Sequence, residues 1–252
     1  QGIQLGCVLE YRGSFNRVAV EGDSWTVSLP QFDRIVDSFV MAIVLSGKHQ
    51  RAPVTKTFTD VYVPLYRHYS DSRPETRGAI TCIDEKQLKS VAEWFRLLRD
   101  VNIEHVRIPL GRIRAALYER TNPVDGLLDF FIAWESMFSH AVSIRNSVVR
   151  SMEVMLARAG KAMSRKRLTE LYGLRSAIVH GGAGESGHTE LQTPEAREGV
   201  RDEACDVALA VFSELLNDKE LLQLKPRERV QRLLNPVEEK CEVCKRATLE
   251  FS

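Results

Sequence analysis

A chain of 252 residues with 44% hydrophobic and 27% charged content has the make-up of an ordinary globular protein, long enough for one large packed domain or two modest ones. A formal net charge of +1 excludes a uniformly basic nucleic-acid coat, and no uninterrupted apolar run reaches membrane-span length, Phe39 to Leu45 being far too short. Five cysteines, Cys7, Cys82, Cys205, Cys241 and Cys244, are odd in number and scattered, which argues for reduced thiols rather than a secreted disulfide framework.

Gln1 opens no charged-then-apolar leader pattern, so a cytoplasmic location is expected, and its place where a methionine would stand reads as trimming or excision from a longer chain. Ile3 to Glu10, Arg17 to Glu21 and Trp25 to Leu29 are short β-rich runs split by the turn signals Gly13-Ser14 and Gly22-Asp23. Phe32 to Leu45 has apolar residues at helical spacing, and Thr55 to Tyr66, rich in Thr, Val, Tyr and Phe, reads as another strand. Residues 1–84 are therefore expected to form a mixed α+β module, with the polar stretch His68 to Gly78 as linker.

Beyond the linker the period is helical. Asp84-Glu-Lys opens one helix, Pro109 starts a second, and Asn122-Pro-Val-Asp-Gly126 breaks the chain before a strongly apolar third from Leu127 to Phe138. Val148 to Leu156 marks a fourth, Leu168 to His180 a fifth and Val200 to Leu215 a sixth. The expected fold class is α+β, with a helical bundle over 85–224, the smaller mixed α/β module before it and a tail over 225–252.

The fifth helix ends in Leu171-Tyr-Gly-Leu-Arg175-Ser-Ala-Ile-Val-His180-Gly-Gly182. Arginine keeps its charge at physiological pH and grips phosphate with a planar fork of donors, while an imidazole gives or takes a proton near neutrality. Together they suit phosphodiester cleavage. Five helical steps put the two side chains roughly 140° apart, so convergence needs fraying at Gly181 and Gly182 or a second copy of the motif from another subunit.

Four stretches frame this motif: Arg112-Ile-Arg-Ala-Ala-Leu-Tyr118, Leu127-Leu-Asp-Phe-Phe-Ile-Ala-Trp-Glu135-Ser-Met-Phe138, Ile144-Arg-Asn-Ser-Val-Val-Arg150, and Leu171 to Gly181 with its Arg-Ser-x-Ile-Val-His-Gly core. In this order they resemble the Apea-like branch of the HEPN superfamily, over roughly residues 105–222. The resemblance implies an HEPN-like helical bundle that often dimerises. In many members it implies a metal-independent endoribonuclease centred on the Arg and His, here Arg175 and His180; other members bind nucleotides, RNA or protein partners without cutting. Expected partners are single-stranded RNA and a second copy of the chain, with no membrane and no cofactor.

Around the pair, Glu135 sits in an apolar helix and needs a basic partner, Arg175, Arg145 or Arg150; it either orients Arg175 or forms a structural ion pair. Asp129 reads as structural. Ser176 and Tyr172 lie within a turn of the motif and offer hydroxyls for phosphate. Between Arg145 and Arg175 eight basic residues face two acids, a local excess that makes Arg145, Arg150, Arg165, Lys166 and Arg167 candidate RNA contacts. From Glu185 to Asp206 the sign reverses, with seven acids against two arginines. Cys241-Glu-Val-Cys244 has the spacing of half a zinc site with no second half before Ser252, so surface thiols are expected and no metal. The remaining histidines show no metal-ligand spacing, and no glycine-rich phosphate loop is present.

Overall fold

The computed structural model describes residues 30–46, 56–58, 69–71, 85–100, 103–139, 144–180 and 188–235. The chain divides into two compact units, Gln1–His49 with Cys82–Asp100, and Gln50–Thr81 with Val101–Ser252. In the first, helix α1 (Pro30–Ser46) packs along α2 (Glu85–Asp100). Val40, Met41, Ala42 and Val44 of α1 and Val91 and Leu98 of α2 are buried, and Phe39 meets Phe95 edge-to-face at 5.9 Å.

The second unit holds a short 3₁₀ turn (Ile103–Val106), α3 (Arg107–Tyr118), α4 (Pro123–Phe138), α5 (Ile144–Arg158), α6 (Arg165–Val179), α7 (Pro194–Asn217), α8 (Lys219–Gln223) and α9 (Pro226–Leu234). Local chemistry sets the starts of these helices. The side chains of Asn122, Ser164, Thr193 and Asp218 accept from the backbone N–H groups of Val124, Arg167, Ala196 and Leu221 at 2.8–3.2 Å, and prolines follow at 123 and 194 where no N–H is needed. The end of α5 is sealed by Gly160, whose φ of +68° lets Lys161 N–H reach the Leu156 carbonyl at 2.9 Å and its own N–H reach Ala157.

Helix α4 is the hub of this bundle. It contacts α3, α5, α6, α7 and α9, and Phe130, Phe131, Trp134, Met137 and Phe138 are all buried. That explains its nearly unbroken apolar sequence, since a helix surrounded by others has no polar face to maintain. Asp129 is the exception on this helix at 2% exposure, satisfied by Arg112 Nη1 at 2.8 Å and Arg120 Nε at 2.6 Å, which lock α3 to α4. Helix α9 is fastened by Arg229, a completely buried guanidinium that donates to four backbone carbonyls: Leu222 at 2.9 Å, Leu221 at 3.0 Å, His105 at 3.3 Å and Met137 at 3.4 Å. Among the described residues no carboxylate accompanies it, and burial lowers its pKa to about 10, still a cation at neutral pH.

The α+β class expected from the sequence is overturned: the described residues are helical. The apolar face of the Phe32 to Leu45 stretch is covered by another helix, α2, rather than by a sheet. Extended pairing among the described residues amounts to one antiparallel ladder of three residues a side, Lys56–Phe58 with Tyr69–Asp71, too short to make a layer. The runs Ile3 to Glu10, Arg17 to Glu21 and Trp25 to Leu29 lie outside the described residues, as does most of Thr55 to Tyr66. The second bundle helix begins at Arg107, two residues before Pro109, which is tolerated because the first turn of a helix leaves its N–H groups unpaired. Pro226–Leu234, within the stretch read as tail, is helix α9.

Candidate functional site

Helices α4, α5 and α6 bring the motif's neighbourhood together. From α4, Glu135 stands one turn beyond the buried Phe131, at the edge of the core. From α6, Tyr172 and Arg175, three residues apart and so on one face, both turn to it. Arg175 Nε lies 2.8 Å from Glu135 Oε1, and the Tyr172 hydroxyl donates to the same oxygen. Phe131 forms the floor, edge-to-face with Tyr172 at 6.1 Å and with Trp134 at 5.3 Å. Of the three partners weighed for Glu135, the structure selects Arg175 and adds Tyr172.

The phenol of Tyr172 is pushed well above its usual range, first by burial and then by the hydrogen bond and charge of Glu135, with Arg175 and Arg145 acting in the opposite sense. Tyr172 is thus a neutral donor that fixes the carboxylate, and its hydroxyl is already engaged. Arg175 is held by one nitrogen only. Its side chain is 37% exposed, and its two terminal nitrogens make no hydrogen bond or ion pair among the described residues. Arg145, in the first turn of α5, donates from Nη2 to the Thr169 carbonyl at 3.3 Å, beside Gly173 of α6.

His180 caps α6, its backbone N–H bonded to the Ser176 carbonyl at 3.0 Å. Its imidazole is exposed and makes no hydrogen bond or ion pair among the described residues, so no described residue joins it to Arg175. Ser176 is also exposed, and Gly181 and Gly182 lie outside the described residues, as do Cys241 and Cys244. The structure therefore assembles Glu135, Tyr172 and Arg175, seats Arg145 beside Thr169 and Gly173 of α6, and leaves His180 at the end of that helix.

Much of the basic run is neutralised. Arg167 is clamped between Glu203, at 2.9 and 2.5 Å, and Glu190, whose charges raise its pKa further. Arg165 pairs with Glu153 at 2.6 Å, Arg158 with Asp218 at 3.2 Å, and Lys166, almost fully exposed, faces Glu170 at 3.9 Å. Two of these acids, Glu190 and Glu203, come from the oppositely charged stretch, so the basic and acidic runs meet at Arg167. Arg145, Arg150 and Lys161 have no carboxylate partner among the described residues.

A cleft of about 690 Å³ opens elsewhere, between Arg158 and residues of α8 and α9. Its cations Arg158 and Arg232 already face Asp218 and Glu220, at 3.2 and 3.8 Å, and none of Glu135, Arg145, Tyr172, Arg175 and His180 lines it. No helix among the described residues is long and apolar enough to cross a membrane. Comparison with family models, with curated proteins and with solved structures returns no match, so the functional reading rests on this geometry and on the motif.

Proposed function

We propose that this chain is a metal-independent endoribonuclease of HEPN type that cleaves single-stranded RNA. The observation that supports it best is Arg175, pinned through Nε by Glu135 with both terminal nitrogens open, five residues before an exposed His180 with no partner among the described residues. In the reaction the ribose 2′-oxygen attacks phosphorus, its proton passing to a histidine, while the P–O5′ bond breaks and O5′ takes a proton from a histidine, so that no net proton is gained or lost. The products are a 2′,3′-cyclic phosphate and a free 5′-hydroxyl. Arg175 stabilises the charge on the non-bridging oxygens. Because Arg175 turns toward α4 and His180 stands at the end of α6, the working pair is built from two protomers, with the α6 C-termini near a two-fold axis.

A second reading, a non-catalytic HEPN module that binds RNA, a nucleotide or a protein, draws on a different observation: within one protomer Arg175 is already paired with Glu135 and does not meet His180. One experiment separates them. Wild type incubated with single-stranded RNA in chelator is expected to leave 2′,3′-cyclic ends, with cleavage abolished in both Arg175→Ala and His180→Ala and absent on DNA of the same sequence, which lacks the nucleophile. Cleavage that requires metal, or that survives in both variants, sinks the endonuclease reading. Binding without cleavage by wild type supports the module.

A further inference from the structure

We infer that Tyr172 is a positioning residue: its hydroxyl fixes the Glu135 carboxylate in the orientation that holds Arg175 by Nε and leaves the two terminal nitrogens for a phosphate. The inference rests on the ribonuclease reading of the same site and deepens it with a residue that acts through another.

The carboxylate of a glutamate turns easily about its last bond, so an unassisted Glu135 would offer Arg175 either oxygen in many orientations. The ion pair alone does not choose among them. The arginine side chain is 37% exposed and the glutamate 21%, and a pair so open to water is weakly held by itself. Tyr172 supplies the second anchor. Its hydroxyl donates to Oε1, the oxygen that also lies 2.8 Å from Arg175 Nε, and a hydrogen bond onto a charged acceptor is the stronger kind. The donor is itself fixed: Tyr172 is buried, and its ring meets Phe131, one turn before Glu135 on α4, edge-to-face at 6.1 Å. Tyr172 and Arg175 share a face of α6, so both reach one oxygen from the same helix while the carboxylate comes from another. With its pKa raised first by burial and then by Glu135, the phenol remains a donor across the neutral range. Without that hydroxyl the carboxylate is free to turn both oxygens onto the guanidinium, the two-contact geometry that this pair of groups prefers, which would consume donors that a phosphate needs.

The test measures kcat and KM of the full chain on single-stranded RNA, at a temperature where circular dichroism shows every variant folded. Tyr172→Phe, which removes one oxygen and keeps the ring, is expected to lower kcat about tenfold, the range of one lost charged hydrogen bond, with KM changed by less than about twofold. In a Glu135→Ala background the same substitution is expected to change nothing, because the hydroxyl acts only through that carboxylate. Tyr118→Phe, at a buried tyrosine of α3 whose hydroxyl has no hydrogen-bond partner among the described residues, should cut like wild type. A wild-type kcat in Tyr172→Phe, an equal loss in Tyr118→Phe, or a loss that persists without the Glu135 carboxylate overturns the positioning role. If wild type cleaves no RNA, the ribonuclease reading fails and NMR decides the positioning role by itself, as it does if Glu135→Ala cuts too slowly to compare. The Arg175 Nε–H resonance, identified by its loss in Arg175→Lys, is expected to be sharp in wild type at neutral pH and broadened by exchange in Tyr172→Phe. A resonance unchanged by that substitution, or absent from wild type, refutes it.

Discussion

Tyr172 shows how a single side chain ties stability to the site. Its phenol stays protonated in the folded protein well above the ordinary value of 10.0, held by burial and by the Glu135 carboxylate. Below pH 10 both folded and unfolded chains carry the proton, so this group adds no pH dependence. Above it the unfolded chain ionises first, holds fewer protons than the native state, and stability falls as pH rises. Tyr118, buried near Cys205, acts in the same direction. Urea unfolding of Tyr172→Phe should therefore show a loss of about 1–2 kcal/mol at pH 7 from the missing hydrogen bond and a shallower decline than wild type between pH 10 and 11. An unchanged alkaline slope would show that the phenol ionises freely in the fold. None of this was legible in the sequence, where Tyr172 offered only a hydroxyl within a turn of the motif. Its bond to Glu135 joins positions 37 apart, a separation that helical spacing on α6 cannot reach.

At the scale of elements, α9 depends on Arg229. The C-terminal parts of α4 and α8 and the 3₁₀ turn converge there, and a planar fork with several donors can satisfy four carbonyls in a way that neither a hydrocarbon nor an ammonium can. Arg229→Met should destabilise the second unit by about 3 kcal/mol or more through stranded acceptors, and Arg229→Lys should recover only part of that loss. Chemical denaturation measures both; a Lys variant as stable as wild type would mean that the carbonyls find other donors. The seven long helices from Phe32 onward were readable because apolar spacing marks each of them and capping side chains or prolines mark several of their starts. Helix α9 was not, since Pro-Arg-Glu-Arg-Val-Gln-Arg-Leu-Leu looks like a solvated segment until Arg229 is seen to share the buried face with Val230 and Leu233. The expected mixed module failed as a class because the helix inside it found a helical partner, which periodicity cannot specify. The pairing of Glu135 with Arg175 was foreseen as one of three options, because a carboxylate in an apolar helix demands a cation; the position of Arg145 beside Gly173 was not, because it depends on how α5 crosses α6.

For the whole molecule the decisive quantity is the number of copies. Val179, next to His180, is 56% exposed, an apolar side chain at the spot where the proposed two-protomer site would need contact. Light scattering at micromolar concentration should report a dimer, and Val179→Arg should shift it to monomer and abolish RNA cleavage while leaving the unfolding midpoint of the bundle nearly unchanged. A wild-type monomer at that concentration, or a cutting monomeric variant, would refute the shared site. Because Arg167 commits its guanidinium to Glu190 and Glu203, the basic and acidic runs cancel each other between α6, α7 and the segment before α7, and attraction for a polyanion is left to a few solvent-facing cations such as Arg145, Arg150 and Lys161. Exposed charges of this kind are screened at 1 M ionic strength, where the Debye length is about 3 Å, whereas a half-buried clamp with direct contacts is screened far less. Concentrated salt should then strip RNA from the protein without loosening its helices, making release reversible by dilution alone.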